Sequence, residues 1–215
     1  MTSAKSHPEP QMAQRASLRR QLRDQRMALT AKQQTVAAQQ LCAHVTPLLQ
    51  GAKCIAAYLT NDGEISPHAI IQWAWQHQIQ VVLPVLHPFV PWRKGALIFV
   101  EYTPETVLHP NRFGILEPRA NISTLCPIHL IDHILVPLVG FDHLGNRMGM
   151  GGGYYDRTLA GIMQNQVGYL AHPVDRQPAL LGLAHSLQQV ANLPHASWDI
   201  PMSHIVTEQK CITIT

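Results

Sequence analysis

The segment Ile134-Leu-Val-Pro-Leu-Val-Gly-Phe-Asp142-His-Leu-Gly145-Asn-Arg147-Met-Gly149-Met-Gly151-Gly152-Gly153-Tyr154-Tyr155-Asp156-Arg157 decides the fold class. Its apolar start reads as a buried strand, His133–Pro137, and its end opens a helix over about 153–163. Between them lies a loop with glycines at 145, 149, 151, 152 and 153. Ligands of open α/β sheets bind beyond the carboxyl ends of strands, which is where such a loop must lie. Glycines let backbone N–H groups converge on one point and let an anion approach closely. A helix N-terminus adds partial positive charge, and Arg147 and Arg157 add planar multidentate donors. The combination suits a triphosphate. The bland alternative is a flexible surface turn, but a linker is usually followed by small polar residues, not by Tyr-Tyr-Asp-Arg and an apolar helix. Neither GxxxxGK[ST] nor GxGxxG in its βαβ setting is present, which disfavours ordinary NTPases and dehydrogenases.

Outward from this segment, residues 1–14 are polar with scattered prolines and read as a flexible tail. From Arg15 the pattern is helical: Arg15, Arg19, Arg23 and Arg26 form one stripe, with Leu18, Leu22 and Leu29 beside it. Thr30 with Gln33 predicts a capping box for a second helix, with Val36, Ala37, Leu41, Val45 and Leu48 inward. Lys53–Leu59 reads as a strand closed by the turn Asn61-Asp62-Gly63. Ser66-Pro67 starts a helix that carries Ile70, Ile71 and Ala74 inward and ends near Gln78. Strands follow at Gln80–Val85 and Ala96–Tyr102, then an irregular Pro-rich stretch over 103–130. Further strands are predicted at Leu180–Ala184 and His204–Thr207. Strand and helix in alternation argue one α/β domain over 15–215, a three-layer α/β/α Rossmann-like architecture with a mostly parallel sheet.

The chain has 215 residues, enough for one domain or two small ones. Charged residues make up 13% and hydrophobic residues 46%, which excludes charge-driven disorder. There is no repeat or low-complexity tract, and no apolar run approaches the roughly 20 residues of a membrane helix. The polar start lacks the apolar core of a secretory signal, so the chain reads as cytoplasmic and soluble. A net charge of +3 is too mild to imply nucleic acid but suits an anionic small molecule if concentrated. Cys42, Cys54, Cys126 and Cys211 show no CxxC pairing and read as reduced thiols in or near the core. The thirteen His are dispersed, and only His129 and His133 raise a weak metal question.

Residues 136–157, VPLVGFDHLGNRMGMGGGYYDR, resemble the signature of 5-formyltetrahydrofolate cyclo-ligases. The resemblance runs along nearly the whole chain from Arg15. It takes in RASLRRQLR (15–23), Glu64-Ile65, FGILEP (113–118), and a tail with Gln189, Pro194, Asp199 and Ile205-Val-Thr-Glu208. It implies a three-layer α/β/α enzyme that uses ATP and Mg²⁺ to convert 5-formyltetrahydrofolate to 5,10-methenyltetrahydrofolate, releasing ADP and phosphate. The formyl oxygen attacks the γ-phosphoryl group and N10 closes the ring. Such chemistry needs positioning and charge stabilisation rather than a protein nucleophile, and no Ser-His-Asp or Cys-His constellation is evident.

By the same resemblance, Arg15 and Arg19 contact ATP phosphates, and Arg147, Gly149, Gly151, Gly152, Gly153, Tyr155 and Asp156 belong to the nucleotide loop. The resemblance also implies Arg147 as the catalytic residue. Asp156 and Asp199 are associated with Mg²⁺, which needs only one or two carboxylates beside phosphates and waters. Read from residues alone, Asp156 equally suits a cap or a pair with Arg157. Glu64 matches a folate-binding glutamate and Tyr154 a substrate-contacting tyrosine, while Phe113, Gly114 and Glu117 border the folate pocket. The partners implied are 5-formyltetrahydrofolate with its polyglutamates and ATP, with no nucleic acid and no membrane, and a monomer is expected. The sequence departs from the family pattern at Met148, Met150 and His185, and Gly140 is expected to loosen the turn before Phe141-Asp142. Competing readings are a sugar-phosphate isomerase or acyl-CoA transferase without ATP dependence, and a nucleotide- or folate-binding protein without turnover. A nucleic-acid binder is a fourth, supported only by the arginine helix.

Overall fold

Why the chain takes up its layers follows from two periodicities that alternate along it. The structure, a computed structural model, describes residues 8–86, 96–163, 177–194 and 200–214. Helix α1 (Pro8–Met27) begins ahead of Arg15, so residues 8–14 form its first turns rather than part of a tail. Helix α2 (Ala31–Val45) starts at the expected capping box. The Gln33 N–H donates to Thr30 Oγ1 at 3.3 Å, and the Thr30 N–H donates to Gln33 Oε1 at 2.9 Å. Its inward face is Ala37, Leu41 and Val45, whereas Val36, expected inward, is 42% exposed. The chain then tightens into a 3-10 turn, Thr46–Leu49, which buries Leu49 and leaves Leu48 only partly covered. Helix α3 (His68–Gln76) buries Ile70, Ile71 and Ala74 as read, and its first N–H, that of His68, donates to Ser66 Oγ at 3.3 Å. Helix α4 (Tyr154–Met163) follows the glycine loop.

In chain order the strands are β1 (Cys54–Ala56), β2 (Gln80–Leu86), β3 (Leu97–Glu101), β4 (Leu108–Pro110), β5 (Leu116–Pro118) and β6 (Leu125–Cys126). They continue with β7 (His133–Pro137), β8 (Gly140–Phe141), β9 (Arg147–Met148), β10 (Ala179–Leu183), β11 (His204–Val206) and β12 (Cys211–Thr213). Eight of them form one sheet in the order β12-β11-β10-β7-β1-β2-β3-β6. From β11 to β2 every pairing is parallel, and the flanking strands β12, β3 and β6 pair antiparallel. Two hairpins, β4–β5 and β8–β9, stand apart from the sheet, inside stretches that read as irregular or as loop.

Alternate residues of the central strands feed two separate cores, the signature of a sheet covered on both faces. Ile55, Val81, Leu135, Leu181 and Val206 pack with the inward faces of α2 and α3. Cys54, Ala56, Val82, Ile134, Val136, Leu180 and Ile205 pack on the opposite side, with Leu159 of α4. Each fully buried aliphatic side chain is worth about 1.5–3 kcal/mol, so these two clusters dominate the stabilisation. The four cysteines are free thiols, two of them buried. No helix among the described residues is long and apolar enough to cross a membrane.

The connections position the site. From β1 the chain passes through α3 on one face to β2, and from β7 it passes through α4 on the other face to β10. Because β1 and β7 are neighbours, the chain leaves them in opposite directions and opens a crevice between their carboxyl ends. The turn at 61–64 follows β1 and the glycine loop follows β7. Helix α1 crosses above them, its Leu22 sealed in a small core with Val139, Met148 and Leu193. Gly140 lies under that contact: a Cβ there would stand 2.6 Å from Leu22 Cδ1. Its small size therefore admits the helix, and it does not loosen a turn.

Candidate active site

The glycine loop is framed by the β8–β9 hairpin, whose turn is built on one buried carboxylate. Asp142 Oδ1 accepts from the Leu144 N–H at 2.9 Å and the Asn146 N–H at 3.1 Å. Its Oδ2 accepts from Asn146 Nδ2 at 2.9 Å and the Leu193 N–H at 3.1 Å. Burial pulls the Asp142 carboxyl up, but these four donors together hold it below the usual range. This turn delivers Arg147 at 4% exposure into the interior. There Arg147 Nε donates to the Ile200 carbonyl at 3.1 Å, and its Nη2 is ion-paired with Asp156 Oδ1. Of the alternatives open from the sequence, a cap or a pair with Arg157, neither describes Asp156; its partner is the arginine at the other end of the loop. Arg157 instead donates to the Gly152 carbonyl. Gly151 and Gly153 have φ of 94° and 65°, which an L side chain rarely adopts, so the loop's path needs glycine there.

The arginine stripe of α1 faces this loop. Arg15 donates to the Pro194 carbonyl, and Arg19 Nε donates to the Gly149 carbonyl at 2.9 Å, its guanidinium lying beside Gly151. Arg23 and Arg26 lie further along the stripe and take up a different partner, Asp62. Arg23 grips it with two bonds of 2.6 and 2.8 Å, a fork-on-carboxylate geometry. Arg26 has 0% exposure and donates to Asp62 Oδ2 at 2.9 Å, to the Asp62 carbonyl at 2.7 Å and to the Leu138 carbonyl at 3.0 Å. Its Nη2 also reaches Met150 Sδ at 3.8 Å. The Arg23 and Arg26 bonds pull the Asp62 carboxyl below its ordinary range. Met150, a departure from the family pattern, thus contributes a soft acceptor on the loop to the buried guanidinium.

Glu64 stands two residues beyond Asp62, its side chain 11% exposed. One oxygen accepts from the Asn61 N–H at 3.1 Å and the other lies 3.8 Å from Arg26 Nη2. Burial pushes its carboxyl up to about 7, with Arg26 and the Asn61 bond acting in the opposite sense. Tyr58, whose hydroxyl donates to the Ile65 carbonyl at 2.6 Å, and Tyr155 both feel the Glu64 charge. Burial and Glu64 raise the Tyr155 hydroxyl while Arg147 opposes, so Tyr155 spans the two halves of the crevice. Burial lowers the His185 imidazole, against the field of Glu208 and a bond to the Gly63 backbone, and Arg26 reinforces the lowering. His185 thus lies behind the 61–64 turn, where burial disfavours its charged form.

At the rim, the tip of the β4–β5 hairpin meets α4. Phe113, 55% exposed, lies edge-on to Tyr154 with ring centroids 6.0 Å apart. Arg112 stacks over Phe113 and donates to the Tyr154 hydroxyl at 3.0 Å, while Arg157 lies over the Tyr154 ring. Glu117 points elsewhere: its Oε2 accepts from Asn111 Nδ2 at 2.9 Å and the Leu86 N–H at 3.3 Å, which fastens the hairpin to the end of β2. Asp199 lies outside the described residues. Among the described residues no three His, Cys, Asp or Glu side chains gather to hold a metal ion, His129 and His133 included.

The crevice therefore unites Arg15, Arg19, the glycine loop, Arg147, Asp156, Tyr155 and Glu64, with Phe113 and Tyr154 at its edge. Asp62, Arg26 and Asp142 were not read as site-building residues. The arginine stripe and the Asn-Asp-Gly turn were both visible, but nothing local in sequence joins positions 36 residues apart.

The chain is similar to several proteins of known name. The profile of the 5-formyltetrahydrofolate cyclo-ligase family matches residues 11–208. A 5-formyltetrahydrofolate cyclo-ligase of Haemophilus influenzae is 44% identical over 194 residues, 89% of this chain and 96% of that one. One of Escherichia coli is 39% identical over 191 residues, 88% and 97% of the two chains. The solved structure of a 5,10-methenyltetrahydrofolate synthetase from Aquifex aeolicus superposes with a TM-score of 0.73 at 24% identity, covering 93% of this chain and 92% of that one. A synthetase of the same name from Mycoplasma pneumoniae gives 0.66 at 24% identity, covering 90% and 98%. These likenesses establish the fold, and the match across residues 11–208 establishes that the chain belongs to the 5-formyltetrahydrofolate cyclo-ligase family.

Proposed function

We propose that this protein converts 5-formyltetrahydrofolate to 5,10-methenyltetrahydrofolate at the expense of ATP, with Mg²⁺, releasing ADP and phosphate. One juxtaposition carries the reading. An anion-cradling loop, bridged to α1 by the Arg19–Gly149 bond, lies across a switch-point crevice from a buried carboxylate, Glu64. The first half suits a polyphosphate and the second suits the N–H edge of a pterin.

The amide-like formyl oxygen leaves poorly until it is phosphorylated. It attacks the γ-phosphorus and ADP departs. N10 then adds to the formyl carbon, its proton is lost to solvent, and phosphate leaves with the C–O bond to give the methenyl bridge. Arg15, Arg19 and the amides of Gly149, Gly151, Gly152 and Gly153 would orient the phosphates. Arg147 would stabilise charge on the transferring group, steered by its bonds to Asp156 and Ile200. Asp156 keeps 20% of its side chain exposed beside the loop, which fits one carboxylate ligand of a Mg²⁺ otherwise held by phosphates and water. Asp199 would supply a second. The metal would neutralise phosphate charge. Tyr155 lines the nucleotide side, and Phe113 and Tyr154 offer aromatic faces to the folate; Glu117 acts by seating the hairpin that carries Phe113. Polyglutamate forms are accepted, the enzyme is a cytoplasmic monomer, and the chain from α1 onward forms a single catalytic domain.

The test is the near-ultraviolet absorbance of methenyltetrahydrofolate formed by purified protein. Product that requires both ATP and Mg²⁺ supports the reading. No product at high enzyme concentration refutes it, and ATP binding without product would favour a binding protein.

A further inference from the structure

Arg26 has no place in the chemistry above, yet it is the most deeply enclosed charge of the site. A guanidinium sealed from water is costly unless every donor is used and its charge is answered. Here its donors go to three different segments: the Asp62 turn after β1, the Leu138 carbonyl at the exit of β7, and Met150 of the glycine loop. Lysine could not span them, because the planar fork with fixed N–H directions is what reaches all three. The charge count is equally specific. Asp62 is shared between Arg23 and Arg26, so two cations face one carboxylate. Glu64, 3.8 Å from Arg26, is the second carboxylate, and the cluster is neutral only when Glu64 is ionised.

We propose that Arg26 is a positioning residue for folate recognition: it holds the Glu64 turn against the glycine loop and supplies the positive charge that keeps Glu64 an acceptor. The inference rests on the reading of Glu64 as the group that receives the pterin N–H donors. The groups facing Glu64 are Arg26 from α1, Asp62 and the Asn61 N–H from its own turn, Tyr58 beyond β1, and Tyr155 from α4. His185 lies behind the turn, where burial disfavours its charged form. With Glu64 poised at about 7, small changes in this charge balance move it across the working range.

The experiment measures the affinity for 5-formyltetrahydrofolate without ATP from pH 5.5 to 8.5, in wild type and in the variants Arg26→Gln, Arg26→Lys, Asp62→Asn and Glu64→Gln. Wild-type affinity falls as pH drops through the Glu64 midpoint, and Glu64→Gln removes that limb. Arg26→Gln moves the midpoint up by about one pH unit, the scale of an opposite charge at this range, and so weakens binding at pH 7 about fivefold. Arg26→Lys keeps the midpoint near wild type. Asp62→Asn removes a negative neighbour and moves the midpoint down, so the test survives if Arg26→Gln does not fold. Midpoints of Arg26→Gln and Asp62→Asn that stay at the wild-type value, or move in the same direction, overturn the proposal. A wild type that binds no 5-formyltetrahydrofolate at any pH overturns the reading of the site instead.

Discussion

Replacing Glu64 with Gln should make the protein more stable and less able to hold its substrate. In the fold this carboxyl is raised from 4.5 to about 7, first of all by burial. A rise of that size corresponds to about 3 kcal/mol of preference for the neutral form, an upper bound because the side chain retains some exposure. Native protein thus binds the proton more tightly than the unfolded chain does. The associated stability is fully present below about pH 4.5 and is lost as pH rises through about 7. At pH 8 the native state carries an ionised, desolvated carboxylate that a neutral amide of the same shape avoids. Gln keeps the acceptor for the Asn61 N–H, and Arg26 keeps Asp62. Urea unfolding should therefore find Glu64→Gln about 1–3 kcal/mol more stable than wild type at pH 8, with the gap closing towards pH 5 and an unchanged slope. A gap independent of pH, or a wild type more stable at pH 8, would refute the argument. Loss of folate affinity in the same variant would show stability traded for a binding charge.

Three further outcomes bear on the site and its support. Arg147→Ala should lower turnover roughly ten- to a thousandfold, about 1.4–4 kcal/mol, since it removes a donor to developing charge; unchanged steady-state kinetics would reject its catalytic role. Asp156→Asn should raise the Mg²⁺ concentration needed for half-maximal rate, and an identical Mg²⁺ titration would make Asp156 only the partner of Arg147. Gly140→Ala should cost about 1–3 kcal/mol in denaturant unfolding, because the added methyl must displace Leu22 from a closed contact; a neutral result would mean that α1 sits more loosely than described.

The elements legible in the sequence are those whose signal is local. β7 occupies 133–137 as read, because a strand buried on both faces needs only a short apolar run bounded by turns. The Thr30–Gln33 capping box and the inward faces of α2 and α3 came from spacings within one or two turns of helix. Val36 broke that pattern: a helix packed on a single sheet face buries a narrower stripe than its apolar residues suggest. The start of α1 was missed because the polar, proline-bearing residues 8–14 carry no apolar stripe. β12 and the two hairpins were missed because strands of two or three residues lie below any periodicity.

What the sequence determined by itself was the inventory of candidate groups: the glycine loop after β7, the arginines of α1, Glu64 after its turn, and the order in which strand and helix alternate. Tertiary structure alone decided how these groups divide the work. Both Arg23 and Arg26 are drawn to Asp62, Asp156 is taken by Arg147 rather than Arg157, and Glu117 is spent on seating a hairpin. A side chain's charge is written in its codon, but which opposite charge it meets depends on where the sheet brings separate loops together. How hard that charge is to keep depends on how much water is excluded there.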